Sequence, residues 1–270
     1  MELGFLGWDG FFAERFAPWA AAGHRPARVV AAPPAGGFLL GTEHGELPSQ
    51  VTGRPRHLAG PCVAGPPAVG DWVCLREERI QAVLPRRTAV GHRRPGDAAG
   101  GQVLAANVDL VLLVVAAGRD GHPRRLERLR TLAWESGAWP VVVLGKADRC
   151  ADLDAELQRL AEATPGVEVH AVSCFTGEGL AAVAAMLRRG RTAVLLGSSG
   201  VGKSTLVNRL AGRDLLATGE GTGSYRLVAL AGGGLAIDTP GLREPGPVGG
   251  HPDPVPATQP RRLPLQVPGR

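Results

Sequence analysis

Lysine is nearly absent from this chain. Of the 30 basic residues among 270, only Lys146 and Lys203 are lysines, and the rest are arginine. Such usage leaves lysine where a compact ammonium and a planar guanidinium are not interchangeable. Cysteine is scarce too. Cys62, Cys74, Cys150 and Cys174 form no C-x-x-C pair, and no His stands at metal-ligand spacing from them. That argues against a zinc module or a disulfide framework and leaves four separate small apolar residues in a reducing compartment. Long apolar runs are missing: Val108 to Ala117 is interrupted by Asp109 and too short to span a bilayer. The first ten residues carry Glu2 and Asp9 and no basic stretch, so no signal peptide is expected and the expected location is cytoplasmic. The net charge of +5 admits a polyanionic partner without requiring one.

The length leaves room for one large or two modest domains, and 44% hydrophobic residues suits a globular protein. Phe11 to Ala22 sets Phe12, Phe16 and Trp19 at helical spacing, a face expected to pack on the next domain. Residues 25 to 85 hold short apolar or alternating runs: Arg28 to Ala31, Gly37 to Leu40, Pro61 to Ala64, Gly70 to Leu75 and Ile80 to Leu84. Gly and Pro separate them, a pattern of a small antiparallel sheet or barrel. Pro85 to Gly101, with Arg86, Arg87, His92, Arg93 and Arg94, reads as a solvated connector, a nucleic-acid contact being the sharper alternative.

From Val103 onward strands and helices alternate. Strands are expected at Val108–Val115, Pro140–Leu144, Val167–Val172, Thr192–Leu196, Arg226–Leu230 and Gly234–Ile237. Helices are expected at His122–Ser136, Leu153–Ala163, Gly179–Leu187 and Gly202–Leu210. This alternation predicts a mainly parallel sheet with helices on both faces. Beyond Glu244 the pattern stops. Residues 245–270 hold eight prolines, no aromatic residue and one acid, Asp253, and are expected to be disordered.

Three motifs carry chemistry, and their order is informative. Gly197-Ser198-Ser199-Gly200-Val201-Gly202-Lys203-Ser204 follows an expected strand and opens an expected helix, the context a phosphate-binding loop requires. Its backbone N–H groups and the helix N-terminus suit phosphate oxygens. Lys203 would reach the β- and γ-phosphates, Ser204 would bind Mg²⁺, and Thr205 follows at the same site. Asp238-Thr239-Pro240-Gly241 has the D-x-x-G form: Asp238 could hold Mg²⁺ directly or through water, and the Gly241 N–H could sense a γ-phosphate. Gly145-Lys146-Ala147-Asp148 looks like a guanine-reading N-K-x-D with Gly145 in place of Asn. The Asp148 carboxylate can accept two N–H bonds from guanine, a donor pair adenine lacks, and the Lys146 stem can lie along the base. Losing the Asn side chain should weaken guanine affinity. Ser173-Cys174 resembles the loop whose backbone N–H meets guanine O6. The guanine motif precedes the other two, the order of a circularly permuted GTPase.

With these residues in place the chain resembles the RsgA (YjeQ) family of circularly permuted GTPases that depend on the small ribosomal subunit. The matching stretches include Val83 to Thr88, Gln102 to Asp109, Arg124 to Arg128, Leu132 to Gly137, Ser173 to Leu180, the phosphate loop, Ile237 to Glu244 and Gly70 to Val73. The resemblance implies an α/β fold: a permuted P-loop GTPase domain at 96–244, preceded by an OB-like RNA-binding barrel within 1–95. It implies GTP and Mg²⁺ as ligands, with the small subunit, its rRNA and guanine nucleotide as partners. It implies late small-subunit maturation as the role, with hydrolysis stimulated by that subunit. A monomer with no membrane partner is expected. The family's zinc domain would follow Glu244, but residues 245–270 hold no Cys and only His251, so zinc is not expected. The segment between the phosphate loop and Asp238 also departs from the family's basic, His-containing switch, having only Thr218 to Arg226 with Thr222 as the candidate Mg²⁺-sensing threonine. Leu242, after Gly241, cannot orient a water as Gln would.

Two other readings follow from these departures. One is a degenerate guanine-nucleotide or RNA-binding member with weak catalysis. The other is an ATP-dependent P-loop enzyme, which leaves Gly145 to Asp148 unexplained.

Overall fold

The computed structural model describes residues 2–33, 36–51, 60–63, 65–92, 102–117, 123–216 and 225–239. The expectations for the Pro-rich tail, Gly241, Leu242, Thr222, Arg93 and Arg94 fall outside the described residues.

The amino-terminal helix α1 (Gly10–Ala21) begins at Asp9, whose side chain accepts from the Phe11 amide at 3.0 Å and so caps an otherwise unpaired donor. As its spacing predicts, Phe12, Phe16 and Trp19 are buried. They join Trp72, Cys74 and Leu84 in a core of their own.

Strands β1 (Arg25–Ala32), β2 (Phe38–Thr42), β3 (Gly45–Ser49), β4 (Trp72–Arg76) and β5 (Arg79–Val83) follow. β1 pairs antiparallel with β2 and β4, β2 with β3, and β4 with β5. A parallel bridge from Val51 to Ile80 brings the end of the β3 segment to β5. The apolar run at Pro61 is not a strand; residues 61–63 instead lie alongside β5, with the Val63 N–H donating to Val83 O at 2.8 Å. β3, Gly-Glu-Leu-Pro-Ser, escaped the sequence reading because neither its composition nor its period marks it.

The connector reading needs correction at its ends. β6 (Ala89–His92) pairs antiparallel with β7 (Gln102–Ala106), so this Arg-rich stretch contributes a ladder.

The remaining elements are β8 (Leu110–Ala116), α2 (Pro123–Glu135), β9 (Trp139–Gly145), α3 (Leu153–Ala163), β10 (Glu168–Val172), α4 (Leu180–Met186), β11 (Thr192–Leu196), α5 (Lys203–Ala211), β12 (Tyr225–Ala229) and β13 (Leu235–Asp238). The sheet order is β10-β9-β8-β11-β13-β12-β1-β2-β3. The first five strands run parallel, β12 runs antiparallel to β13, and β1 runs antiparallel to β12. The sheet is therefore mixed. The β1–β12 pairing, which joins the amino-terminal strands to the α/β sheet, had no counterpart in the sequence pattern.

All seven residues of β8 are buried. Val111, Leu113 and Val115 face one core with Leu126 of α2 and Leu160 of α3. Leu110, Leu112 and Val114 face the other, with Val183 of α4 and Leu206 of α5. Alternating side chains thus feed two layers, which is why this strand reads as a continuous apolar run. No described helix is long and apolar enough to cross a membrane.

One buried knot joins the parts. Arg28 of β1, 1% exposed, donates to Gly70 O at 3.1 Å, Asn107 O at 3.0 Å, Thr192 Oγ1 at 3.0 Å and also to Leu6 O. Burial lowers its pKa to about 10, against the opposing charges of Asp109 and Asp71.

Candidate functional site

The glycine-rich loop runs from the end of β11 into α5. At Gly197 a Cβ would lie 2.4 Å from Val114 O, so a side chain cannot fit where the loop leaves the sheet. Gly202, at φ 111°, supplies the left-handed turn that opens α5. Val201 is buried and anchors the loop, while Ser199 and Gly200 are exposed. Lys203, 6% exposed, donates through Nζ to Gly197 O at 3.0 Å and Ser198 O at 2.7 Å. Its ammonium is thus held inside the loop, where phosphate oxygens would meet it.

β13 lies parallel to β11, and its last residue, Asp238, comes beside the first turn of α5. Ser204 Oγ donates to Asp238 Oδ2 at 2.8 Å. Asp238 Oδ1 is buried with no hydrogen-bond partner among the described residues. Burial pushes the Asp238 carboxyl up, opposed by the Ser204 hydrogen bond, the Lys203 charge and the Thr239 backbone N–H. A hydroxyl and a carboxylate with an orphaned oxygen form the hard-oxygen donor set that Mg²⁺ prefers, so these residues fit that ion. Thr239 Oγ1 donates to Leu195 O at 2.6 Å and fixes the chain as it leaves β13. Gly241 lies outside the described residues.

The third motif sits at the end of β9, two strands from β11. Lys146 adopts a left-handed backbone at φ 58°, and Ala147–Arg149 forms a single 3-10 turn with Ala147 buried. The parallel β9–β10 register, Gly145 opposite Val172, brings Asp148 to Ser173. Ser173, fully buried, donates through Oγ to Asp148 Oδ1 at 2.6 Å. Its Oγ also accepts from the Thr176 amide at 3.1 Å. Lys146 Nζ donates to Gly200 O at 3.4 Å, linking this turn to the phosphate loop. Thr205, on the first turn of α5, lines the same cavity of about 300 Å³ as Lys146, Asp148, Cys174 and Phe175. Burial pushes the Cys174 thiol up, so Cys174 acts there as a neutral apolar wall. All three motifs therefore meet along one edge of the sheet, at the carboxyl ends of β9, β11 and β13, where α/β sheets bind ligands.

The sequence motifs did not single out two participants. Arg125, on the first turn of α2, donates to Ser198 Oγ across 73 positions of chain. Phe175 follows Cys174 and is among the residues that line the cavity. Neither follows from a spacing rule; only the assembled fold brings them to the loops.

The RsgA GTPase family model matches residues 83–247. The chain is 45% identical over 271 aligned residues to the small ribosomal subunit biogenesis GTPase RsgA of Opitutus terrae, covering 90% of this chain and 72% of that protein. It is 41% identical to the protein of that name from Syntrophotalea carbinolica, with the same coverage, and 42% identical to that of Streptomyces coelicolor, covering 89% and 69%. Its fold is like that of the crystal structure of YjeQ from Thermotoga maritima, with a TM-score of 0.61, 24% identity, and coverage of 81% of this chain and 75% of that one. The chain belongs to the RsgA GTPase family.

Proposed function

We propose that this protein binds and hydrolyses GTP as a factor in late maturation of the small ribosomal subunit. The observation that carries this reading is the hydrogen-bonded pair of Ser173 and Asp148, joined through Lys146 to the phosphate loop. It supports a guanine-reading carboxylate in reach of a phosphate site, in a chain whose curated relatives are named for small-subunit biogenesis.

In this reading Asp148 accepts from the guanine N1–H and exocyclic amine, the Ser173-Cys174 backbone meets O6, and Lys146 packs along the base. Gly197 to Lys203 hold the phosphates, and Ser204 and Asp238 hold Mg²⁺. Bound there, Mg²⁺ supplies positive charge against the phosphate oxygens. Gly241 would sense the γ-phosphate. Leu242 cannot orient a water, so the bound subunit is assigned that task, and turnover is expected to be stimulated by it. The degenerate reading is not favoured. What supports the active reading is that Ser173 donates to Asp148, Lys203 lies inside the glycine-rich loop and Ser204 donates to Asp238.

The domain reading is 1–95 followed by 96–244. The amino-terminal part is read as an OB-like barrel that contacts rRNA. The pairing order β2-β1-β4-β5, with β3 on β2 and the parallel Val51–Ile80 bridge, supports a closed five-stranded arrangement. A cytoplasmic monomer is the expected working form.

The test is phosphate release from GTP with and without purified small subunits, alongside GTP–ATP competition. Subunit-stimulated GTP turnover is expected. Equal binding of ATP together with indifference to subunits would refute the reading.

A further inference from the structure

Phe175 is 86% exposed, whereas the other exposed large apolar side chains among the described residues, Phe5, Val51 and Trp134, lie between 36% and 46%. A single exposed apolar residue is ordinary on a protein surface. This one stands beside the candidate site: it lines the same cavity as Lys146 and Asp148. The backbone beneath it is pinned. The Ser173 N–H donates to Glu178 O at 3.0 Å, the Gly177 N–H to Ser173 O at 2.9 Å, and Arg209 Nη2 to Phe175 O at 3.5 Å. A pinned loop therefore carries a largely unpacked aromatic side chain among the residues that line the cavity.

We propose that Phe175 is the stacking wall of the base subsite, its ring packing on the purine face of a bound guanine nucleotide. The inference rests on reading the cavity as a guanine site. Purine faces are apolar and polarisable, and stacking on an aromatic ring stabilises any base because every base has a π-face. Selection is left to groups that meet the base edge. The division of labour is then explicit: Phe175 supplies affinity and Asp148 supplies choice of base. The arrangement also offsets Gly145, which brings no side chain to the site. A Cβ there would meet only Val115 O at 3.5 Å and Val201 O at 3.9 Å.

The test uses the full chain with Mg²⁺ and compares the affinities of GDP and IDP, which lacks the exocyclic amine, by titration calorimetry. Phe175→Ala is expected to weaken both nucleotides by the same factor, about tenfold, with an unchanged GDP-to-IDP ratio and an unchanged unfolding midpoint. Phe175→Trp is expected to retain full affinity. Asp148→Ala is expected to collapse the ratio. Unaltered GDP affinity in Phe175→Ala, beside a damaged Asp148→Ala, overturns the stacking role and leaves the guanine site standing. A shifted GDP-to-IDP ratio in Phe175→Ala also overturns it, since the residue would then be positioning Asp148. Failure of the unsubstituted chain to bind any guanine nucleotide removes the site reading itself and this proposal with it.

Discussion

Ser204 and Asp238, 34 positions apart, are joined by a 2.8 Å hydrogen bond from the serine hydroxyl to Asp238 Oδ2, while Oδ1 of the same carboxylate stays buried and unpartnered among the described residues. A buried acceptor without a partner costs about 1–3 kcal/mol. The nucleotide-free protein tolerates that cost at the position where a cation would relieve it. Asp238→Asn leaves a polar atom there but removes the buried charge, and is expected to raise the unfolding free energy of the nucleotide-free protein by about 1 kcal/mol. The same change is expected to cut Mg²⁺-dependent GTP turnover at least about a hundredfold. Urea unfolding and phosphate release measure the two effects. A variant that is less stable and still active would contradict this account.

Lys203 is buried with its ammonium donating to two loop carbonyls. Lys203→Ala is expected to lower subunit-stimulated GTP turnover by at least about a hundredfold. Lys203→Arg should not restore it, because a planar guanidinium does not fit a space shaped for a compact ammonium. Steady-state phosphate release checks both, and full activity in the arginine variant would contradict the prediction.

Gly145 has room for a side chain: a Cβ there makes only ordinary contacts with Val115 O and Val201 O. Gly145→Asn places an amide donor among those acceptors and is expected to tighten GDP binding about fivefold, the value of one net hydrogen bond. Unchanged or weaker binding by calorimetry would show that the loop does not need this brace.

Arg28 meets four acceptors in a fully buried position and lies near Asp71 and Asp109. Arg28→Leu is expected to reduce the unfolding free energy by about 3–5 kcal/mol at neutral pH. Burial raises both the Asp71 and Asp109 carboxyls, and the Arg28 charge is among the effects that pull them down. Without it they rise further. A carboxyl with a raised folded-state pKa contributes stability that is complete below its ordinary value, near 3.9, and is lost as pH rises through the raised one. The deficit of the variant is therefore expected to be larger at pH 8 than at pH 5. Equal deficits in urea unfolding at the two pH values would contradict this.

Much of the α/β part is legible from local pattern. Leu153–Ala163 and Thr192–Leu196 coincide with their expected bounds, because a capped amphipathic helix and a fully apolar strand each carry a complete local signal. The β6–β7 pairing and β3 carry none. Gly-Glu-Leu-Pro-Ser has no apolar alternation, and the β6–β7 ladder depends on partners that periodicity within either strand cannot name.

The same distinction divides the site. The phosphate-loop pattern was legible in the sequence alone, since it needs only a consecutive glycine-rich run, one lysine and the helix that follows at once. The order of the three motifs was likewise plain in the sequence. Only the tertiary structure decided that Ser173 meets Asp148, that Lys146 spans to Gly200, that Arg125 reaches Ser198 and that β1 pairs with β12. Each of these joins residues 25 or more positions apart, through strand register and sheet order that no local spacing encodes.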